Sequence, residues 1–257
     1  MTYDIVVVGT GSAGLAAAIS AAENGAKTLM IEKNPALGGT TGWSVGSITT
    51  SASPHQRAMD VYDTPDDHFR DMELFHTERL HGRDNLKLRR LLVDHTPPTF
   101  DWLLSLGLVF YGPMPEPPHG QPRMHNILPN SRMFIHHLSK RARKLGVDIR
   151  VSAPMEDLIV EDRRVTGVVV DGERISADKG VILAAGDFSA NPALKQRYMP
   201  PEVARIGPFN ETSTGDWHDP ATALGGHVLN GDVALGPEIR FRPPTKTTLV
   251  RRLPPWL

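Results

Sequence analysis

The hexamer Gly9-Thr10-Gly11-Ser12-Ala13-Gly14 constrains this chain more than any other stretch. It follows the run DIVVV at 4–8, which is continuous, apolar and β-branched and reads as a strand buried in a parallel sheet. An alanine-rich helix over 12–24 and a second strand over 27–32 follow it. Alone, a GxGxxG hexamer is weak evidence. Placed between a buried strand and a helix, inside a βαβ unit of about thirty residues, it is a dinucleotide-binding fingerprint. Gly9 permits the tight turn, Gly11 lets the backbone approach a pyrophosphate, and Gly14 lets the helix pack close. The helix N-terminus then offers free N–H groups and a positive dipole end to phosphate.

Glu32 closes the second strand where an acid takes ribose hydroxyls, which argues against the 2′-phosphate of NADP. The next segment separates a flavin dinucleotide from a nicotinamide one. A simple NAD-binding unit would continue into another helix and strand. This chain instead places Gly38-Gly39-Thr40-Thr41 beyond the acid, a loop whose N–H groups suit a second stretch of phosphate and ribitol.

Further along, helices are predicted near 65–80, 84–94, 97–106 and 131–145, with Phe69, Met72 and Phe75 as a core stripe on the first. Residues 112–129 read as an irregular Pro/Gly-rich connection. Strands follow over 147–151, 157–161, 164–170, 173–177 and 180–185, the middle three as an antiparallel meander and the last as a return to the parallel sheet. A short helix is expected at 219–225. The 257 residues contain no cysteine, which excludes disulfides and thiolate metal sites. With a net charge of -1, no nucleic-acid or membrane field is implied, and no apolar run is long enough to span a bilayer. The first strand starts so early that no leader is expected, and the default placement is cytoplasmic.

The sequence resembles the fumarate reductase/succinate dehydrogenase flavoprotein superfamily, with its soluble fumarate reductase and 3-ketosteroid dehydrogenase branches. The matching stretches are DIVVVGTGSAGLAAAISAAENGAKTLMIEK, GGTTGWSVGSI and GVDIRVSAPMEDLIVEDRRVTGVVV. VILAAGDFSAN is similar to the family's ATGGF segment and STGDWHDPATALGG to its TGDG segment. The resemblance implies an α/β fold: a Rossmann-like FAD-binding domain with a parallel sheet and an antiparallel β-meander. It implies such a domain over 1–242, with a helical and loop insertion over about 54–129. It also implies hydride transfer between the flavin and a C–C bond of a small molecule such as a dicarboxylate or a steroid ketone.

Carried over residue by residue, Gly9, Gly11 and Gly14 face the pyrophosphate, with backbone N–H groups lent by Ser12 and Ala13. Glu32 holds the adenosine ribose, with Lys33 beside it. Gly39, Thr40, Thr41, Ser44 and Gly46 line the ribitol and flavin ring. Met155 meets adenine through its backbone, Ala184, Ala185 and Gly186 lie near the adenosine half, and Thr214, Gly215 and Asp216 approach from the other side. Asp187 and Trp217 stand where relatives carry glycine. Thr40 occupies the place of the flavin-linking histidine of the respiratory members, so the expected FAD is noncovalent. In the family a cap domain begins near the Pro-rich stretch 243–257, and a later segment returns to the flavin. On that resemblance the chain is a shortened member, or one whose cap and final flavin segment come from a partner chain.

Catalytic residues are not assigned by these motifs. Arg123 and His125, in a loop before a helix, offer a carboxylate clamp and a proton carrier, against the favoured reading of two solvated loop residues. Tyr111 offers a phenol for steroid-type chemistry, against packing of the FYGP stretch. No histidine set has metal-ligand spacing, and no GxSxG elbow is present. Two other readings stay open: a noncatalytic FAD-binding module that needs a partner, and an NAD-binding dehydrogenase.

Overall fold

The computed structural model describes residues 2–234; the stretch 243–257 lies outside the described residues. In chain order the first elements are β1 (Thr2–Val8), α1 (Ser12–Glu23), β2 (Thr28–Ile31), β3 (Ser47–Thr49), α2 (Pro54–Ala58), α3 (Pro65–Asp71) and α4 (Leu86–Ser105). Next come β4 (Val109–Met114), β5 (Met124–Leu128), α5 (Arg132–Lys144), β6 (Asp148–Arg150), β7 (Met155–Glu161), β8 (Arg164–Val170) and β9 (Glu173–Leu183). Three short helices follow: α6 (Pro192–Tyr198), α7 (Pro201–Ala204) and α8 (His218–Ala223). The described residues form two compact units, one of residues 2–43 with 134–234 and one of residues 44–133.

The first unit is an α/β layer on a six-stranded sheet of order β6-β2-β1-β9-β8-β7. β6, β2, β1 and the second half of β9 run parallel, and β9, β8 and β7 form an antiparallel meander. Val6, Val8, Leu29, Ile31, Val168, Val170 and Ile175 share one buried cluster, which explains why these strands read as apolar runs. α1 buries Gly14, Leu15, Ala18 and Ile19. Gly25, at φ +79°, ends it: the Gly25 and Ala26 N–H groups donate to Ala22 and Ala21. Sequence analysis splits residues 173–185 into two strands. The structure has one, β9, which pairs β8 over 173–176 and β1 over 176–183, with a register shift between Tyr3 and Ile5 where Gly180 sits opposite Ile5 at φ +147°.

In the second unit β3, β5 and β4 form a three-stranded antiparallel sheet where an irregular connection over 112–129 is expected. Gly112 and Pro113 hide the strand pattern because they lie at a register shift in β4, an edge strand that tolerates a missing N–H. The two helices expected over 84–106 are one. α4 runs through Pro97 and Pro98, held by its buried Val93, Phe100 and Leu103. Burial there outweighs the helix-breaking tendency of proline. The helix expected over 65–80 stops at Asp71 and continues in 3-10 turns. Its Phe69/Met72/Phe75 stripe is therefore not core: Phe75 is exposed, and the Phe69 ring carries the Arg89 guanidinium at 4.9 Å. No helix among the described residues is long and apolar enough to cross a membrane.

Candidate functional site

A cleft in the first unit opens at the carboxyl ends of β1, β2 and β9, where open α/β sheets bind ligands. Its walls are the residues that follow these strands, Gly9 to Ala13, Glu32 to Asn34 and Ala184 to Asp187. Thr40 and Thr41, Met155, and residues from Asn210 to Trp217 complete them. Its free volume is about 190 Å³, below the roughly 300–1,000 Å³ of most ligand pockets. Side chains from two walls are bonded to one another across it.

The three glycines of the hexamer have different physical reasons. Gly9 stands at φ +98°, and a Cβ there would lie 2.5 Å from the Ala184 oxygen. A Cβ on Gly14 would lie 2.0 Å from the Gly9 oxygen. Both are demanded by the protein's own packing. Gly11 is not: its φ is -63°, and a Cβ would meet nothing nearer than Thr41 Oγ1 at 3.5 Å. A side chain there would only fill cleft space. The first-turn N–H groups of α1 lack intrahelical partners, and no side chain caps Gly11. Thr41 Oγ1 accepts from the Ser12 N–H at 3.0 Å. The cleft thus has a glycine with room in front of it at a helix N-terminus, which fits a pyrophosphate.

Glu32 is buried, and its carboxylate is held from both sides. Thr10 donates to Oε2 through its N–H at 3.1 Å and its hydroxyl at 2.6 Å. Asn34 donates to Oε1 through its N–H at 3.0 Å and its amide at 2.9 Å. Lys33 donates to Asp216 at 2.7 Å and also to the Thr214 hydroxyl. Burial pushes the Asp216 pKa up, but hydrogen bonds from Lys33 and Thr214 outweigh it and hold the carboxyl below the usual range. Thr40 lies 3.2 Å from the Ser213 hydroxyl and accepts from Asn210 at 2.9 Å. Trp217 donates its indole N–H to the Gly186 oxygen at 2.8 Å, and Asp187 accepts from the Ser189 N–H at 2.7 Å. Asp187 and Trp217 therefore shape the rim of the cleft.

Of the residues singled out by sequence, Gly9, Gly11, Ser12, Ala13, Glu32, Lys33, Gly39, Thr40, Thr41, Met155, Ala184, Ala185, Gly186 and Asp216 line this one cleft. Gly14 packs beneath it against Gly9. Ser44 and Gly46 fall in the second unit, where Gly46 at φ +85° meets Ile127 and Ser131. Thr10, Asn34, Asn210, Thr212 and Ser213 are additional to the sequence reading. Thr10 occupies a variable place in the hexamer, and only the acid 22 residues later marks its partner.

Arg123 and His125 are not solvated loop residues; both are fully buried in the second unit, and His125 lies on β5. The Arg123 guanidinium is consumed: Nε and Nη2 donate to Asp63 at 2.7 and 2.6 Å, and Nη1 donates to Asp71 at 2.6 Å. It also lies 2.9 Å from His119 Nδ1. This geometry gives Arg123 a structural task and leaves no fork for a substrate carboxylate. His125 Nε2 bonds the Ser53 hydroxyl at 3.0 Å, and burial pushes its pKa down. Tyr111, on β4, is exposed. His68 is buried in the same cluster. Burial, reinforced by the charges of Arg123 and His119, lowers its pKa to about 4 against the pull of Asp63 and Asp71.

The family described as FAD binding domain matches residues 4–252. The NADH:fumarate oxidoreductase of Klebsiella pneumoniae (strain 342) is 30% identical over 252 residues, covering 94% of this chain and 26% of that protein. The fumarate reductase (cytochrome) of Shewanella frigidimarina is 30% identical over 239 residues, covering 88% of this chain and 40% of that protein. The crystal structure of the 3-ketosteroid-delta4-(5alpha)-dehydrogenase of Rhodococcus jostii RHA1, in complex with 4-androstene-3,17-dione, matches with a TM-score of 0.77 at 26% identity. That match covers 88% of this chain and 54% of the other. The chain thus spans between about a quarter and about half the length of these proteins.

Proposed function

The chain belongs to the FAD binding domain family, and from that premise we propose that the cleft of the first unit holds FAD for an oxidoreductase acting on a C–C bond of a small molecule. The family match decides the question left open between FAD and NAD in favour of FAD. When bound, FAD supplies the hydride acceptor or donor. The chain's own residues bind and orient it. The α1 N-terminus and Gly11 take the pyrophosphate, and Glu32 takes the adenosine ribose. Met155 and Ala184 to Gly186 flank the adenosine half. Gly39, Thr40 and Thr41 take the ribitol side. Lys33 stands beside Glu32, and Asp216 approaches from the facing wall. Thr40 offers a hydroxyl where a ring nitrogen would be needed for a covalent link, so the cofactor is held noncovalently. The likeness to the relatives named above supports a dicarboxylate or a steroid ketone as the substrate class.

The observation that carries this reading is Gly11. It alone of the three glycines is unexplained by protein packing, and it faces the cleft. The test is the visible spectrum of the purified chain before and after heat denaturation. A two-band flavin spectrum, with FAD released into the supernatant, is expected. A colourless protein that takes up no added FAD would overturn the reading.

A second reading is favoured by the burial of Arg123 and His125, which removes both from contact with substrate. In it the chain holds FAD while a partner chain supplies the groups that handle substrate. Reduction of the bound flavin by dithionite without reoxidation by fumarate or a steroid dienone, until a partner is added, would select it.

A further inference from the structure

Thr10 is fully buried, lies in a variable position of the hexamer, and bonds separate segments of the cleft. Its hydroxyl donates to Glu32 Oε2 at 2.6 Å, at the end of β2. The same oxygen accepts from the Gly38 N–H at 3.2 Å, at the start of the Gly39–Thr41 turn. Gly38 is confined from its other side, because a Cβ there would lie 2.9 Å from the Ile135 side chain. The turn beyond it places Thr41 Oγ1 on the Ser12 N–H. One hydroxyl therefore joins the β1–α1 turn, the acid at the end of β2, and the loop that carries Thr40 and Thr41.

We propose that Thr10 is a positioning residue for the cofactor: its hydroxyl sets Glu32 and the Gly38–Thr41 turn at the spacing that the two halves of FAD require. The inference rests on the reading of the cleft given above. Two features favour a role in binding over a general structural one. Glu32 has its Oε2 fixed by buried Thr10 and its Oε1 held by Asn34, whose amide also bonds the exposed Thr212 hydroxyl at 3.3 Å. The Asn34 amide is thus the group that can yield Oε1 to a ribose hydroxyl, while the Asn34 N–H and Thr10 keep the carboxylate from rotating. In addition, the acceptor that Thr10 gives Gly38 lies on the ribitol side of the cleft. The loss of one hydroxyl then touches both ends of the ligand at once.

The test compares Thr10→Val, which keeps the shape and removes the hydroxyl, with Thr10→Ser, which keeps the hydroxyl. FAD affinity is read from quenching of flavin fluorescence in the full chain, and ADP affinity from competition. A hydrogen bond to a charged group lost from a preorganised site corresponds to roughly a ten- to hundredfold loss of affinity. Thr10→Val is expected to lose that much for FAD and distinctly less for ADP, which lacks the ribitol half. Thr10→Ser is expected to stay within about threefold of the parent. Should the valine variant fail to fold, Thr10→Ala carries the same comparison. Parent-like FAD affinity in Thr10→Val would overturn the inference, as would a serine variant as weak as the valine one, or equal losses for FAD and ADP. If the parent itself takes up no FAD, the reading of the cleft fails instead.

Discussion

The cleft of the first unit and the buried ionic cluster of the second use the same kinds of side chain to opposite ends. In the second unit Arg123 meets Asp63 and Asp71, Gln56 bonds Asp63 and the Pro122 oxygen, and the Gly120 N–H bonds Asp71. The charged groups of this cluster are answered by one another within the same unit, although ring nitrogens of His68 and His125 beside them have no partner. In the first unit the corresponding groups stand on walls of an open cleft, and the helix N-terminus behind Gly11 meets one side-chain acceptor, Thr41 Oγ1 on the Ser12 N–H. Residue type does not separate these two settings. An arginine and a histidine near a Pro/Gly-rich stretch invite a catalytic reading, and the structure spends both on packing. A glycine that neither packing nor a positive φ demands, set at a helix N-terminus on the wall of a cleft, is the better pointer to a ligand.

The largest expected effect tests the structural side of that contrast. Arg123→Met leaves Asp63 and Asp71 without their buried cation, and losing one partner of such a pair costs about 3–5 kcal/mol. The urea midpoint should fall accordingly, while the FAD content of each folded molecule stays as in the parent. FAD loss at unchanged stability would make Arg123 part of the site and break the contrast.

The next effect divides the hexamer itself. Gly14→Ala drives a Cβ into the Gly9 oxygen, and forcing the turn apart costs about 1–3 kcal/mol. It should lower the melting temperature and strip the flavin together. Gly11→Val should abolish flavin retention through gel filtration with a stability change within about 1 kcal/mol. Equal destabilisation by both would mean that Gly11, like Gly14, serves packing alone.

A pH series sharpens the comparison from the second unit. His68 has its pKa lowered to about 4 from 6.5, so between those values the unfolded chain binds more protons than the folded one. Its neutral, buried state costs nothing above about pH 6.5, and stability falls as pH drops toward 4. The loss reaches about 1–2 kcal/mol at pH 5. His119 and His125, also lowered by burial, act with the same sign. Asp71 has a lowered pKa although burial opposes it, because the Gly120 N–H and Arg123 favour its charged form. Its contribution is lost only further down, as pH falls through that depressed value. His68→Phe removes a buried ring nitrogen that has no partner and should flatten the slope between pH 6.5 and 5. An unchanged slope would place the titration elsewhere.

The same contrast explains what the sequence reveals. The βαβ unit is legible because steric demands at Gly9 and Gly14 and the buried run of β1 leave few alternatives. Glu32 is legible because its place at the end of β2 follows from that unit. The second unit is not legible in this way. β4 is concealed by Gly112 and Pro113 at a bulge, α4 by a proline pair whose cost is outweighed by Val93, Phe100 and Leu103, and Arg123 by partners 60 and 52 residues away. Long-range pairing leaves no local pattern. Thr10 is a smaller case of the same kind, since its partners Glu32 and Gly38 are 22 and 28 residues distant.

The smallest effect concerns the one ion pair of the cleft that resembles those of the cluster. Lys33 and Asp216 are 29% and 47% exposed, so breaking their bond should change stability by less than about 1 kcal/mol. Its consequence for the ligand is larger. With Lys33 removed, Asp216 keeps its charge on a wall of the cleft proposed to hold FAD, and repulsion of a diphosphate there would replace a neutral pair. Lys33→Ala should therefore weaken FAD binding severalfold at low salt and less at high salt, because the cleft is open and screened. Adding Asp216→Asn should recover most of the loss. If Lys33→Ala instead lowers the melting temperature as Arg123→Met does and leaves FAD affinity alone, the pair serves packing, and the line between the cleft and the cluster has to be drawn through the first unit rather than around it.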